Sequence, residues 1–185
     1  MSQLQINWRA MRLWIGAQQA LWFILSLAVL SRLLPHPENI TPLAAMGLFA
    51  GAHISSRIYL WVPVLAALLS DLLGPGLYNL AVMLLVYLGL ATASLLGKLL
   101  LRNQTLWPRL PLAVIAASLS FYGISNLGAW WAYYPHSLEG LISCYVNGLP
   151  YLGRTLLGDG FYALLFFGSY ALYQQLQTRL HYVRS

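Results

Sequence analysis

Long apolar runs alternate with short polar or proline-containing breaks along the whole chain. Most of these runs have about the 20 residues that a helix needs to cross the hydrocarbon core of a bilayer. Prolines and glycines mark the breaks, because proline removes a helix hydrogen bond and both residues favour turns. The pattern predicts six spanning helices, at 13–34, 42–55, 58–72, 77–101, 111–131 and 155–177.

Two parts of the chain fit this pattern less well. The runs 42–55 and 58–72 are short for complete spans, so a re-entrant hairpin over 42–72 is an alternative. The segment between 131 and 155 contains Pro135 and Pro150, and we interpret it as a short extracytoplasmic interfacial helix rather than a span. The predicted fold is therefore all-α, a six-helix polytopic bundle that forms one integral membrane domain over 1–185.

The composition supports lipid as the solvent. Hydrophobic residues make up 59% of the chain and charged residues only 8%, where soluble domains carry about 25% charged residues. The net charge of +6 comes without a basic run or patch, so nucleic acid is not an expected partner. The single cysteine, Cys144, excludes an internal disulfide and a cysteine-rich zinc site.

The distribution of basic residues predicts the orientation of the bundle. With both termini in the cytoplasm, only Arg32 and Arg154 lie on the extracytoplasmic side, as the positive-inside rule requires. The other eight Lys and Arg residues are then cytoplasmic: Arg9, Arg12, Arg57, Lys98, Arg102, Arg109, Arg179 and Arg184.

The same orientation gathers the acids, Glu38, Asp71, Glu139 and Asp159, at the extracytoplasmic face with several histidines and amides. Ionisable groups at the edge of the hydrocarbon cost several kcal/mol unless they are paired or hydrated. They could form structural ion pairs or line a solute site, and both interpretations stay open. The candidate substrate-binding residues are Arg32, His36, Asn39, Asp71, Tyr78, Asn126, Trp130, Tyr145, Arg154 and Asp159.

Aromatic and amide side chains at this face suggest specific roles in such a site. Small-molecule sites combine apolar or aromatic walls with a few polar anchors, although aromatic residues also form interfacial belts. Trp130 and Tyr145 would stack on a ring of the solute. Asn126 could contact the ligand or bond to another helix. The arginines would hold anionic groups or orient the aspartates.

Two segments have small residues at a spacing that permits close helix packing. Gly47 and Gly51 are predicted to pack inside the bundle. Gly16 and Ala20 lie in the first predicted span beside two glutamines, where they could contact another span or a partner protein.

Motifs for soluble enzyme chemistry are absent from the sequence. It contains no His-Glu-x-x-His zinc helix, no Gly-x-Ser-x-Gly nucleophile turn and no phosphate-binding loop of an ATPase. We therefore predict a protein that is not an enzyme. An intramembrane enzyme that uses Asp71 and Asp159 as a proton-sharing pair is one alternative, and a structural or assembly subunit is another. Cys144 could ligate a metal-bearing cofactor if it lies in the outer site.

An ordered set of short motifs resembles a bacterial family of small membrane proteins of unknown function. That family is similar to the S components, the substrate-binding subunits of energy-coupling-factor vitamin transporters. The motifs are Arg32-x-x-Pro35-His36-Pro37-x-Asn39, Ser70-Asp71, Asn126-x-Gly128-x-Trp130, Cys144-Tyr145 and Arg154-Thr155-Leu156-x-Gly158-Asp159.

The resemblance implies a six-helix protein of the bacterial inner membrane that captures a vitamin or cofactor precursor at its outer face. S components dock through their first helix onto a transmembrane and ATPase module, and some act alone. Gly16 and Ala20 would then form the docking surface. A corrinoid such as cobalamin is one candidate solute, with Cys144 as a possible cobalt ligand.

Overall fold

The computed structural model describes residues 39–74 and 76–184, together with the isolated helical residues Ser26 and Leu30. Within this part of the chain the regular structure is entirely helical, as predicted. A short 3-10 helix, Arg57–Leu60, precedes the second helix. The five α-helices are α1 (Leu43–His53), α2 (Val62–Leu73), α3 (Leu80–Leu100), α4 (Leu106–Tyr133) and α5 (Leu138–Arg184).

Three of these helices, α3, α4 and α5, are long and apolar enough to cross a membrane, which indicates a membrane protein. The helices α1 and α2 have 11 and 12 residues. At about 1.5 Å per residue, neither reaches across a hydrocarbon core of about 30 Å. Six complete spans are therefore not confirmed. The predicted span 13–34 lies outside the described residues apart from Ser26 and Leu30.

The last helix corrects the sequence-based division of the C-terminal third. The predicted interfacial helix and the predicted span 155–177 are one continuous helix, α5, with Pro150 inside it. Proline removes one backbone donor, and helices in a membrane bundle tolerate this where neighbouring groups compensate. The true break lies earlier, where the Ser137 hydroxyl accepts a hydrogen bond from the Gly140 N–H at 3.1 Å and caps the start of α5.

The short helix α1 forms the centre of the bundle. Every residue from Leu43 to Gly51 is buried, and α1 contacts all four other helices. The Phe49 ring lies 5.1 Å from the Phe167 ring and 5.5 Å from the Tyr170 ring on α5. The fold thus surrounds one short apolar helix with longer ones whose outer leucines remain exposed.

The crossing of α1 and α3 confirms the close packing predicted for Gly47 and Gly51. A Cβ atom at Gly51 would overlap the Ser94 carbonyl oxygen, and one at Gly97 would overlap the Leu48 carbonyl oxygen. Backbone therefore packs directly on backbone at this crossing, which only glycine permits.

The end of α1 is held by Arg102, which follows α3. Its guanidinium donates hydrogen bonds to the carbonyl oxygens of Gly51, at 2.8 Å, and of Ile54. These carbonyls have no partner within the helix and lie at the negative end of its dipole. Arg102 thereby holds the C-terminal end of α1 in place.

We expect Arg102→Leu to lower the free energy of unfolding by about 2 kcal/mol, because it removes two charge-assisted hydrogen bonds and leaves partly buried acceptors unsatisfied. Equilibrium unfolding of the purified protein in mixed micelles measures this change. Arg109→Leu removes the same charge from an exposed position on α4 and should change stability much less. Equal losses in the two variants would contradict a specific role for Arg102.

Candidate functional site

A cavity of about 820 Å³ lies at one end of the bundle. It is bordered by the N-terminal ends of α1 and α3, the C-terminal ends of α2 and α4, and the first half of α5. Its volume falls within the range of roughly 300–1,000 Å³ that is typical of small-molecule sites. All five described helices thus contribute to one concave surface.

The described basic residues of the helical bundle lie mainly at the opposite end. Lys98 and Arg102 are at the C-terminal end of α3 and Arg109 at the start of α4, while the other ends of these helices border the cavity. The described lining of the cavity contains two acids, Asp71 and Asp159, and neither lysine nor arginine. The charge asymmetry of the sequence therefore corresponds to two chemically different ends of the folded chain.

Both acids of the cavity are buried, each with 2% of its surface exposed. The Tyr87 hydroxyl donates a hydrogen bond to Asp71 Oδ2 at 3.0 Å. The Ser118 hydroxyl donates to Asp159 Oδ2 at 2.7 Å. These donors are neutral, so they satisfy carboxylate oxygens without neutralising a charge.

Reciprocal hydrogen bonds join α4 and α5 beside the cavity. The Tyr122 hydroxyl donates to the Tyr145 carbonyl, and the Tyr145 hydroxyl donates to the Gly123 carbonyl at 2.6 Å. The Asn126 amide nitrogen donates to the Tyr122 carbonyl at 2.8 Å, within its own helix. The Cys144 thiol is 3.4 Å from the Asn126 carbonyl oxygen. These bonds set the spacing of two walls of the cavity.

The structure brings five of the predicted binding residues together in the cavity lining. These are Asn39, Asp71, Tyr78, Asn126 and Asp159, and Cys144 accompanies them. Asn39 has a positive φ of 62°, which asparagine tolerates, and its amide donates to the Thr155 hydroxyl at 3.4 Å.

Three other predicted residues lie near the cavity without lining it. Tyr145 uses its hydroxyl on the backbone of α4, and the Trp130 indole donates to the Pro135 carbonyl at 3.0 Å. Arg154 is exposed, with its guanidinium 5.7 Å from the centre of the Tyr151 ring. The predicted residues Arg32, His36, Gly16 and Ala20 lie outside the described part of the chain.

A family model of unknown function, DUF6580, matches residues 16–180. The chain belongs to this family. The match includes every described residue of the cavity lining. No curated protein and no solved structure matches the chain. Nothing in the family match links DUF6580 to the S components.

Several cavity residues of this DUF6580 protein were not among the predicted binding residues. On α5 they include Gly148, Tyr151 and Thr155, which with Cys144 and Asp159 recur every three or four residues. Such spacing places side chains on one face of a helix. The face could have been recognised from sequence, but the break predicted at Pro150 divided it between two elements. Ser118 and Tyr87 gave no comparable signal.

The cavity of the DUF6580 protein is not a preformed metal site as far as the structure describes it. No group of three or more His, Cys, Asp or Glu side chains comes together among the described residues. Its chemistry is that of hydroxyls, amides, aromatic rings and two carboxyl groups, which suits the binding of an organic molecule.

Proposed function

We propose that this DUF6580 protein binds a small organic solute, a vitamin or cofactor precursor, in the cavity and supports its uptake in the manner of an S component. The cavity itself carries the proposal. It has a volume of about 820 Å³, is lined by residues of all five described α-helices, and combines aromatic walls with a few polar anchors. Sites for small organic ligands have this composition.

Charge supports an extracytoplasmic mouth for the cavity. The basic ends of α3 and α4 are expected in the cytoplasm of the bacterial cell under the positive-inside rule. The opposite end of the bundle, which carries Asp71, Asp159 and the exposed Glu139, would then face outward. In this orientation the solute enters from outside, with both termini in the cytoplasm.

The energy for uptake would come from elsewhere, because the sequence has no phosphate-binding loop of an ATPase. We propose either docking onto an energy-coupling-factor type of module, with Gly16 and Ala20 as contacts, or solitary action. A corrinoid remains one candidate solute. Cys144 lines the cavity, but its thiol would have to leave Asn126 to reach a cobalt ion.

An intramembrane enzyme that uses Asp71 and Asp159 is the second candidate function, since both acids line the same cavity. Proton-sharing carboxyl pairs are in direct contact. Here Tyr87 and Ser118 hold the two groups separately, and among the described residues no hydrogen bond joins them. This difference favours solute binding over catalysis by the pair.

The direct test is to identify what the protein retains. We expect the protein, purified into lipid nanodiscs, to release a small molecule on denaturation in near-stoichiometric amount, measured by liquid chromatography and mass spectrometry. Empty nanodiscs prepared alongside are the control. If repeated mild purification releases no solute above this control, the binding proposal is contradicted, and an assembly role becomes the better explanation.

The orientation has a separate test. In a Cys144→Ala background, we expect Glu139→Cys to react with a membrane-impermeant maleimide added to intact spheroplasts, while Arg109→Cys reacts only after the membrane is opened. Both positions are exposed and lie near opposite ends of the bundle. The reverse labelling pattern would contradict capture from the outer side.

A further inference from the structure

We propose that the solute bound in this cavity is an organic cation and that Asp159 supplies its counter-charge. The inference rests on the proposed function, since it assigns the charge of the solute. It departs from the sequence-based expectation that arginines hold anionic groups.

The charges around the cavity favour a cation. The described lining includes two carboxyl groups and no basic side chain. Arg154 lies outside the lining, over the Tyr151 ring. The N-terminal ends of α1 and α3 and the C-terminal ends of α2 and α4 also border the cavity, but their partial charges, about half a unit each and of opposite sign, offset one another. The carboxyl group of Asp159 therefore disfavours an anionic solute in this cavity.

Asp159 has the strongest physical requirement for a positive partner. It lies within a helix that can span the membrane and is 2% exposed. Its hydrogen-bond donor is the neutral Ser118 hydroxyl, and no salt bridge of Asp159 occurs among the described residues. A charged carboxylate in such surroundings is costly unless a positive charge accompanies it, whereas a protonated carboxyl group is not. A cation in the cavity would remove this cost.

The aromatic side chains complete a site for an organic cation. Phe121 and Tyr122 follow Ser118 on α4 by three and four residues, so they lie one helical turn from the group that holds Asp159. Aromatic faces attract cations, by about 2 kcal/mol or more where water is excluded. The aromatic rings of the described lining are Tyr78, Phe121, Tyr122, Tyr133, Tyr134 and Tyr151.

Three probes that share one ring and differ in charge test the inference. They are N-methylquinolinium, quinoline and quinoline-4-carboxylate, titrated at neutral pH into the full-length protein in nanodiscs and followed by tryptophan fluorescence. We expect the cation to bind at least about tenfold more tightly than the other two, which corresponds to about 1.4 kcal/mol. Stronger or equal binding of the neutral or anionic probe would overturn the inference.

Variants locate the counter-charge. Asp159→Asn keeps the shape of the side chain and should weaken N-methylquinolinium binding about tenfold or more. Glu139→Gln removes the same charge from an exposed position and should leave binding within about twofold. Undiminished binding to Asp159→Asn would overturn the role of Asp159. If that variant does not fold, Ser118→Ala, which keeps the charge, must still prefer the cation.

The solute released from the nanodiscs separates this inference from the proposed function. A retained cation supports both. A retained neutral or anionic molecule overturns the inference and leaves solute binding intact, including when none of the three probes binds. Absence of both a retained solute and probe binding overturns the two together.

Discussion

Gly97→Ala should destabilise the bundle more than other single-methyl additions to its helices, by about 3 kcal/mol or more. The new Cβ atom would overlap the Leu48 backbone on α1, where its nearest neighbours are the carbonyl oxygen, Cα and carbonyl carbon. Backbone atoms cannot rotate away as a side chain can. The two helices would therefore have to separate, and overpacking of a well-packed core costs about 1–3 kcal/mol and occasionally more.

The position of α1 makes this separation especially costly. The crossing is close on both sides, since Gly51 of α1 packs equally tightly on Ser94 of α3. The helix α1 also contacts α2, α4 and α5, so moving it away from α3 would disturb packing on its other faces. We expect the effect to spread to the cavity, because Leu43 and Ala44 of α1 form part of its lining.

A matched control for this prediction is Gly168→Ala on α5, where a Cβ atom would meet nothing within 4 Å. There alanine should leave stability unchanged or raise it, by up to about 1 kcal/mol, because it favours helix. The fraction of monodisperse protein after heating, measured by size-exclusion chromatography in detergent, compares the two variants. Similar melting of both would show that α1 and α3 do not pack backbone to backbone.

Features encoded by local composition were predictable from the sequence. The prolines and apolar runs around α1 predicted 42–55 for a helix that the structure describes as Leu43–His53. The spacing of Gly47 and Gly51 predicted close packing, because glycines four residues apart lie on one face of a membrane helix and let another helix approach its backbone. The concentration of acids and amides at one end likewise anticipated a polar cavity at that end.

Features that depend on tertiary partners were not predictable. A proline such as Pro150 predicts a helix break from sequence. The helix continues through it, because the bundle supports the chain on both sides. Tyr145 could be identified as an aromatic residue of the site, whereas its hydrogen bond to the Gly123 carbonyl depends on how α4 and α5 pack. Propensity alone cannot distinguish an aromatic side chain that lines a cavity from one that holds two helices together.

One side of α4 lines the cavity and another side faces outward. Two positions on α4 that are two residues apart can therefore be compared as a cavity variant and its control. Ala129 lines the cavity, while Leu127 is 42% exposed on the outside of the helix. We expect Ala129→Trp to reduce the solute retained after purification on the order of 100-fold, because the indole would occupy space that the solute requires.

The loss in Ala129→Trp should come without a loss of folding, since a cavity of about 820 Å³ has room for the larger side chain. Leu127→Trp adds an indole of the same size to the lipid-facing side and should retain solute like the parent protein. Both variants are compared by mass spectrometry of released solute and by thermal stability in the same nanodiscs. Full retention by folded Ala129→Trp would mean that the solute does not occupy the part of the cavity beside Ala129, because the indole and a solute bound there cannot occupy the same volume.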